Sequence, residues 1–223
     1  MLQPRQSIEL ADARLVGDLQ QVEAASGLVV FVHGSGSSRS SPRNQQVAHY
    51  LGELGLATLL FDLLTEAEER IDRTTCEFRF DIPRLTYRLV GVLDWLASRP
   101  GLDPLPIGLF GASTGAAAAI LAAIQRPEQV KAIVSRGGRT DLAGDELPRL
   151  RAPILQIVGG ADLVILGLNR KVSRALTCEQ DLKVIPRATH LFEEPGALEE
   201  VARLAGAWFL AHLREPARRG AER

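Results

Sequence analysis

The chain has 223 residues, a formal net charge of −1 and 46% hydrophobic residues, which fits one α/β domain with a single substantial core. The nearly neutral charge offers no basic field for nucleic acid or for an anionic membrane surface, so the composition excludes both as partners. Its two cysteines, Cys76 and Cys178, are too few for a disulfide scaffold and lack metal-ligand spacing.

The first residues of the chain contain no apolar leader with a cleavage site. No apolar run approaches the roughly 20 residues that a membrane-spanning helix needs. We therefore expect a cytoplasmic protein that binds neither nucleic acid nor membrane.

The first half of the chain alternates apolar strands with helices. Two short strands flank residues 11–14, which indicates an antiparallel hairpin at the edge of a sheet. Ser41 followed by Pro42 is typical of a helix start, because Ser caps free N–H groups and Pro fits the first turn. In chain order we predict strands at 8–10, 15–22 and 28–32, a helix at 42–54, a strand at 56–62 and a helix at 82–96.

Residues 64–80 are charged and show no clear hydrophobic period, so we predict a long loop there. In a compact domain a loop of this length is usually functional or mobile. We expect it to overhang the functional site.

The second half continues the same alternation. In chain order we predict a strand at 107–110, a helix at 114–124, strands at 130–134 and 152–158, a helix at 163–176, a strand at 182–185 and a closing helix at 198–209. This order predicts an α/β fold whose mostly parallel twisted sheet carries helices on both faces, with functional residues at the carboxyl ends of the strands. We expect one domain over residues 1–213 and a flexible C-terminal tail at 214–223.

The segment Gly111-Ala112-Ser113-Thr114-Gly115 joins a predicted buried strand to an alanine-rich helix. Its Gly-x-Ser-x-Gly pattern is typical of a nucleophile elbow, in which a strained turn lifts the serine hydroxyl clear of the sheet. The helix that follows points its partial positive charge at an oxyanion beside the serine. The alternative is an ordinary strand-to-helix turn in which Ser113 caps the helix.

A serine nucleophile needs a base to take its proton and an acid to orient that base. In this fold the order along the chain is Ser, acid, His, and His190 follows Ser113 in a loop after a strand. We predict His190 as the base, the alternative being a loop histidine that is satisfied by backbone groups. We predict Asp162, after the 152–158 strand, as the acid. Asp141 is the second candidate, and Asp162 also fits a helix cap.

The same site requires two N–H donors for the oxyanion. We predict the backbone N–H groups of Thr114 and of Ser35, which lies in the loop that begins His33-Gly34-Ser35-Gly36. The competing interpretation of this loop is a phosphate cradle. It lacks the Walker lysine and the Gly-x-Gly-x-x-Gly spacing, so an oxyanion loop is favoured.

Arg136 and Arg139 follow the 130–134 strand and face the same sheet edge. Arginine pairs bidentately with carboxylates, so these residues are candidate binders of a substrate that carries an acidic group. The alternative is that they hold the loop by pairing with acidic neighbours such as Asp141. Glu193 and Glu194 are expected to favour the N-terminus of the closing helix and to take no part in the chemistry.

The resemblance to a known family is carried by five motifs: His33-Gly34-Ser35-Gly36 with Ser41-Pro42-Arg43-Asn44, the Gly111–Gly115 elbow, Ser135-Arg136-Gly137-Gly138-Arg139, Val158-Gly159-Gly160-Ala161-Asp162, and Ala188-Thr189-His190 through Gly196. Together they resemble the dienelactone hydrolase-like branch of the α/β-hydrolases over roughly residues 28–213. The resemblance implies a Ser113, Asp162, His190 triad, no cofactor, no metal and no separate cap domain. Dienelactone hydrolases use cysteine as nucleophile, whereas position 113 is serine, which shifts the expectation towards a serine esterase.

We therefore expect a serine hydrolase that cleaves a small carboxylic ester or lactone through an acyl-enzyme intermediate. One alternative keeps the triad but passes the acyl group to another acceptor, as acyltransferases and cofactor-free perhydrolases do. A second alternative is a non-catalytic ligand-binding protein with the same fold. The sequence does not determine the oligomeric state.

Overall fold

The structure, a computed structural model, describes residues 5–102 and 105–213. Within these ranges the strands are β1 (Gln6–Glu9), β2 (Arg14–Gln20), β3 (Leu28–Val32), β4 (Ala57–Phe61), β5 (Ile107–Ala112), β6 (Val130–Arg136), β7 (Ile154–Gly159) and β8 (Gln180–Ile185). The helices are α1 (Pro42–Glu53), α2 (Glu66–Thr75), α3 (Ile82–Ala97), α4 (Thr114–Gln125), α5 (Leu163–Ser173) and α6 (Ala197–His212), and a 3₁₀ segment covers Thr140–Arg149. The tail predicted at 214–223 lies outside the described residues.

The eight strands of the described chain form one sheet in the order β1-β2-β4-β3-β5-β6-β7-β8. The pairs from β4 through β3 to β8 are parallel, and β1 and β2 add an antiparallel hairpin at one edge. The predicted α/β-hydrolase fold, with its mostly parallel sheet and edge hairpin, is confirmed, and no separate cap domain is found among the described residues. The carboxyl ends of β3, β5, β6 and β7 therefore share one edge of the sheet, where ligands bind in such folds.

Helices cover both faces of the sheet, and the central strands β3 and β5 accordingly contain only apolar residues and glycine. All five residues of β3 are buried, and they alternate between two cores. Phe31 packs with α1 and α6, whereas Val30 and Val32 pack with α3 and α4. This double burial fixes the register of the central strands, because a slip by one residue would exchange the two faces.

The prediction of a loop over residues 64–80 is wrong, because α2 occupies Glu66–Thr75. Its only buried residue is Asp72, so the helix has no apolar stripe that a hydrophobic period could reveal. Its start is a capping box, in which the Thr65 side chain accepts from the Glu68 N–H and the Glu68 carboxylate accepts from the Thr65 N–H. The Thr-x-x-Glu spacing at 65–68 was the signal in the sequence that could have revealed this helix.

A buried ion pair fastens α2 to α3. The Arg88 side chain is only 2% exposed, and its guanidinium donates to both oxygens of Glu68 at 2.5 and 2.6 Å and to the Leu63 carbonyl at 2.8 Å. Burial by itself raises the pKa of the Glu68 carboxyl, but hydrogen bonds from Arg88 and Thr65 outweigh it and lower the pKa to about 2. The negative charge of Glu68 is therefore part of the folded structure.

None of the helices within residues 5–102 and 105–213 combines the length and apolarity required to cross a bilayer.

Replacing Glu68 tests this ion pair. Glu68→Gln should lower the free energy of unfolding by about 3 kcal/mol at pH 7, because Arg88 keeps only the more distant Asp12 as a charged partner. Because the pKa of Glu68 is depressed in the folded state, its stabilisation is complete above the unfolded pKa of about 4.3 and is lost as the pH falls towards 2. The stability difference between wild type and variant, measured by urea unfolding, should therefore shrink between pH 7 and pH 3.

The matched control is Glu69→Gln, which removes an exposed carboxylate that pairs with Arg73 at 3.0 Å on the same helix. It should change the unfolding free energy by less than about 1 kcal/mol. A Glu68→Gln effect that stays constant from pH 7 to pH 3 would contradict the role of the charge.

Candidate active site

Ser113 lies at the junction of β5 and α4 with φ 48° and ψ −122°. A positive φ is costly for a residue with a side chain and persists only where the surrounding structure enforces it. The Ser113 side chain makes no capping hydrogen bond to α4, so it does not serve as a helix cap. The residue is only partly buried.

Two glycines allow the chain to pack closely around this turn. A Cβ on Gly115 would lie 2.1 Å from the carbonyl oxygen of Val32, and a Cβ on Gly34 would lie 2.8 Å from the Cβ of Ser113. Real Cβ atoms do not approach other atoms so closely, so only glycine fits at these positions. The loop after β3 consequently runs directly beside Ser113.

Asp162 and His190 meet at the ends of neighbouring strands. The Nδ1 atom of His190 lies 2.6 Å from Oδ2 of Asp162. Asp162 occupies the N-cap position of α5, but its carboxylate makes no capping bond to that helix. When Nδ1 donates its hydrogen to the carboxylate, Nε2 is left as the free acceptor of the imidazole. The structure thus brings together the acid and the base that the sequence predicted.

The segment 136–139 connects this pair to the serine. The Ser113 N–H donates to the Arg136 carbonyl at 3.2 Å, and the Arg139 N–H donates to the Ser113 carbonyl at 2.9 Å. A Cβ on Gly137 would lie 3.4 Å from Cε1 and Nδ1 of His190, so the imidazole rests against the same segment. Within residues 5–102 and 105–213 the Ser113 hydroxyl makes no hydrogen bond. Contacts of this kind often form only when substrate is bound.

A buried polar network supports segment 136–139 from behind. Asn169 is fully buried, and its amide donates to the Gly138 carbonyl at 2.8 Å and to the Ile165 carbonyl at 2.9 Å. The Thr140 hydroxyl lies 3.2 Å from the side-chain oxygens of both Asn169 and Gln156. These hydrogen bonds fix α5 and the segment relative to each other, which positions Ser113 and His190.

The two predicted oxyanion donors lie together, but one of them is already engaged. The Ser35 N–H donates to the hydroxyl oxygen of Thr114 at 3.0 Å. Thr114 is the first residue of α4, where backbone N–H groups have no partner within the helix. The Thr114 N–H is therefore free to donate a hydrogen bond to a ligand, whereas the Ser35 N–H already donates to a side chain.

Arg139 and Asp141 satisfy each other. The Arg139 guanidinium donates to the two oxygens of Asp141 at 2.8 Å each. This bidentate pair supports the interpretation of Arg139 as a residue that holds its own loop. It also directs Asp141, the second candidate for the acid, towards an arginine and leaves the imidazole of His190 to Asp162.

Arg136 has no such partner. It is 8% exposed, its Nη1 is buried without a hydrogen bond, and its side chain pairs with no carboxylate in the described part of the chain. Burial lowers the pKa of Arg136 to about 10, and the positive charge of Arg43 adds to this shift. Arg43 itself pairs with Glu193 at 3.1 Å, so the nearby carboxylate is taken by Arg43 and not by Arg136.

The two glutamates Glu193 and Glu194 precede the first turn of α6 and form side-chain contacts elsewhere. Glu193 pairs with Arg43 of α1, and Glu194 accepts a hydrogen bond from the Thr189 N–H at 3.0 Å. The expectation that they assist the N-terminus of the closing helix is wrong, because that role falls to Glu199 and Glu200 in the first turn. Glu194 instead braces the loop that carries the imidazole of His190.

Both ring nitrogens of His33 have backbone hydrogen-bond partners. Its Nε2 accepts from the Leu63 N–H at 3.0 Å, and its Nδ1 lies 2.9 Å from the Gly34 carbonyl. Burial lowers the pKa of His33, which keeps the ring neutral. The ring ties the end of β3 to the end of β4, a role that the sequence did not indicate.

A cavity of about 230 Å³ lies beside the loop after β3. Leu63, Leu64 and Leu85 supply apolar walls, and Glu69 and Asp72 bring α2 over it. Residues 64–80 therefore cover a cavity next to the Ser35 loop, but Ser113, Asp162 and His190 do not line it, so the expected position of residues 64–80 over the site stays a prediction. No group of three or more His, Cys, Asp and Glu side chains that could hold a metal ion occurs among the described residues.

The mostly parallel sheet, the strained Ser113 turn and the Asp162–His190 pair at its carboxyl edge define a protein with the α/β-hydrolase fold. A family model described as "Dienelactone hydrolase family" matches residues 13–210, and the chain belongs to this family. It is 52% identical to a dienelactone hydrolase from Anabaena variabilis, whose crystal structure it matches with a TM-score of 0.94 over 96% of this chain and 99% of that chain.

Two other proteins are similar to the chain, one in fold and one in sequence. Est1E from Butyrivibrio proteoclasticus has a TM-score of 0.76 at 16% identity, over 93% of this chain and 98% of Est1E, and shares the fold. A protein of Mycobacterium tuberculosis named "Putative phosphoribosyl transferase" is 54% identical over 202 residues. That match covers 91% of this chain but 45% of the relative, so the chain spans about half the length of that protein.

Asn169→Ala should lower the free energy of unfolding by about 2 kcal/mol, because it leaves the buried Gly138 carbonyl and Thr140 hydroxyl short of partners. Chemical denaturation monitored by circular dichroism measures the effect. The control is Thr177→Ala, which removes an exposed hydrogen bond to the Pro148 carbonyl and should change the stability by less than about 0.5 kcal/mol. Equal effects of the two substitutions would show that the network around Asn169 is not a stabilising element.

Proposed function

We propose that the protein is a serine hydrolase that cleaves a small carboxylic ester or lactone through an acyl-enzyme on Ser113. The observation that carries the proposal is the 2.6 Å hydrogen bond between Asp162 and His190, placed against the segment that holds the strained Ser113 turn. An activated serine needs this set of groups, and simple ligand binding needs none of them.

In the proposed reaction the Ser113 hydroxyl attacks the ester carbonyl while Nε2 of His190 takes its proton. Asp162 holds the imidazole in the required tautomer and stabilises the imidazolium. The tetrahedral intermediate collapses as His190 passes the proton to the leaving alcohol. Water, activated by the same imidazole, then hydrolyses the acyl-enzyme.

The backbone N–H of Thr114 is the proposed first donor to the oxyanion of each tetrahedral intermediate. The loop that contains Ser35 forms the opposite wall of this oxyanion site. The N-terminus of α4 adds its partial positive charge at the same point. In such sites the loss of one donor raises the barrier by about 2.7–4 kcal/mol.

Arg136 supports the proposal that the substrate carries an acidic group. A buried guanidinium without a partner is costly, and a carboxylate would remove that cost through charge-assisted hydrogen bonds. Arg136 and Arg43 together with Glu193 carry one net positive charge, which a single carboxylate balances. Arg139 is a weaker candidate for substrate binding, because Asp141 already occupies its guanidinium.

The same triad could pass the acyl group to an acceptor other than water, as in an acyltransferase or a perhydrolase. We infer hydrolysis, because residues 13–210 match a hydrolase family. The phosphoribosyl transferase name belongs to a relative of which this chain spans 45%, and we do not carry that activity over.

A fluorophosphonate probe should label the wild-type protein, because it reacts with activated serines, and Ser113→Ala should abolish the label. Hydrolysis of p-nitrophenyl butyrate should fall by about 10⁶ in Ser113→Ala and by about 10⁴ in Asp162→Asn. The matched control is Asp141→Asn, which removes a carboxylate of the same size at the next strand end and should retain most of the activity.

The outcomes are decisive for the triad. A folded wild type that takes up no label ends the serine hydrolase proposal. Loss of activity in Asp141→Asn with retention in Asp162→Asn would show that the acid has been assigned to the wrong residue.

Arg136→Gln should reduce kcat/KM for the p-nitrophenyl half-ester of glutaric acid by about tenfold or more, because it removes a charge-assisted hydrogen bond. It should leave kcat/KM for p-nitrophenyl valerate, a neutral ester of the same chain length, nearly unchanged. The control Arg126→Gln removes an arginine that pairs with Asp94 at the far end of α4. Equal losses on both esters would argue against an acidic substrate.

A further inference from the structure

We propose that Thr114 is a catalytic residue whose side-chain hydroxyl donates the second hydrogen bond to the oxyanion. In this arrangement the backbone N–H of Ser35 stands behind the hydroxyl and polarises it. The inference rests on the proposed function, since it concerns the oxyanion that forms when Ser113 attacks an ester.

The Ser35 N–H is already engaged in a hydrogen bond. It donates to Oγ1 of Thr114 at 3.0 Å, a distance within the normal range for an N–H···O hydrogen bond. A backbone N–H has one hydrogen and forms one well-directed bond. An oxyanion would therefore have to displace the threonine oxygen from Ser35, or receive its second hydrogen bond from another group.

The hydrogen of the Thr114 hydroxyl is available to a ligand. A threonine hydroxyl both accepts and donates, and here the oxygen accepts from Ser35. In the described part of the chain no acceptor takes its hydrogen, although Thr114 is only 2% exposed. A buried donor without an acceptor is unfavourable, and a ligand oxygen at this point would satisfy it.

The Thr114 hydroxyl is close to the first oxyanion donor and to the nucleophile. The hydroxyl belongs to the residue whose backbone N–H is the proposed first donor, and only three covalent bonds separate the two groups. Thr114 directly follows Ser113, and Gly34 brings the loop of Ser35 against Ser113 so closely that a Cβ would lie 2.8 Å from the serine Cβ. Both donors of Thr114 can therefore reach one oxygen next to the attacked carbon.

The surroundings of the Thr114 hydroxyl make it a stronger hydrogen-bond donor. When Ser35 donates to the hydroxyl oxygen, it withdraws electron density and makes the hydroxyl hydrogen a stronger donor. The N-terminus of α4 adds partial positive charge at the same place. An arrangement that is fixed before the reaction stabilises a developing negative charge without the cost of reorganising water.

In the chemical step the bond between the Ser113 oxygen and the carbonyl carbon forms, and the serine proton moves to His190. The π electrons of the carbonyl pass to its oxygen, which becomes the oxyanion. The N–H and O–H of Thr114 both donate to that oxygen and keep their hydrogens throughout. When the intermediate collapses, the bond to the alcohol breaks and the leaving oxygen takes the proton from His190.

The alternative is that the threonine only ties the loop after β3 to α4. A purely structural role predicts a loss of stability and an altered KM when the hydroxyl is removed. A donor to the oxyanion predicts a loss in kcat and in the affinity for a tetrahedral adduct, with KM preserved.

The experiment compares Thr114→Val, which keeps the branched shape without the hydroxyl, with Thr114→Ser, which restores it. The readouts are kcat and KM for p-nitrophenyl butyrate and the inhibition constant of butylboronic acid, which forms a tetrahedral adduct with activated serines. Thr114→Val should reduce kcat about 10²–10³-fold with little change in KM, and should weaken boronic acid binding in parallel. Thr114→Ser should recover most of both losses.

Thr86→Val is the matched control, because Thr86 is also buried in a helix and its hydroxyl has no partner within the described residues. It should leave kcat, KM and boronic acid binding unchanged. If Thr114→Val fails to fold, the comparison of Thr114→Ser with Thr114→Ala, each checked by circular dichroism, carries the same test.

If Ser113→Ala abolishes hydrolysis while folded Thr114→Val retains wild-type kcat and boronic acid affinity, the role of Thr114 is overturned and the proposed function stands. The role is also overturned if Thr114→Ser is as impaired as Thr114→Val. If Ser113→Ala retains the hydrolytic activity of the wild type, or if the wild type neither hydrolyses the ester nor binds the boronic acid, the proposed function fails and this inference fails with it.

Discussion

The strained backbone of Ser113 is the constraint on which the site depends. Backbone hydrogen bonds help to hold Ser113 at a φ of 48°, because its N–H donates to the Arg136 carbonyl and its own carbonyl accepts from the Arg139 N–H. The same segment carries Gly137, against which the imidazole of His190 rests. One short stretch after β6 thus positions the serine and the histidine together. Asn169 anchors that stretch from the buried side, so the precision of the site depends on polar groups remote from solvent.

The presence or absence of a carboxylate partner distinguishes the arginines that hold the fold from Arg136, for which we propose a role in substrate binding. Arg88 is buried, but it is fully paired with Glu68, and it stabilises α2 above the cavity. Arg139 is paired with Asp141 and holds its own loop. Arg136 alone of these three arginines is buried without a carboxylate, an arrangement that a folded chain tolerates at a cost. We propose that substrate binding is the reason why Arg136 is kept in spite of this cost.

Most of the architecture could be predicted because the signals were local. Strands β3 and β5 are apolar along their length, and helices begin at Ser41–Pro42 and Asp81. The Gly-x-Ser-x-Gly spacing of the elbow is typical of a tight strand-to-helix turn. Helix α2 was missed, because a helix that buries only Asp72 has no hydrophobic period. Its one local signal was the capping box at Thr65. The chain order of serine, acid and histidine favoured His190 but left Asp141 as a second candidate beside Asp162, and the fold then placed Asp162 at 2.6 Å from His190.

The sequence by itself determined the α/β fold and the residue types that meet at the carboxyl edge of the sheet, because both follow from periodicity and from the order of elements along the chain. It could not distinguish Arg136 from Arg139, since the two have the same chemistry three positions apart. Only the tertiary structure decided that the Arg139 guanidinium pairs with Asp141, whereas the Arg136 guanidinium is buried near the positive charge of Arg43. It also decided that the Ser35 N–H meets the Thr114 hydroxyl, 79 residues away in the chain. The physical reason is that hydrogen-bond partners are set by the packing of distant segments, which no local pattern encodes.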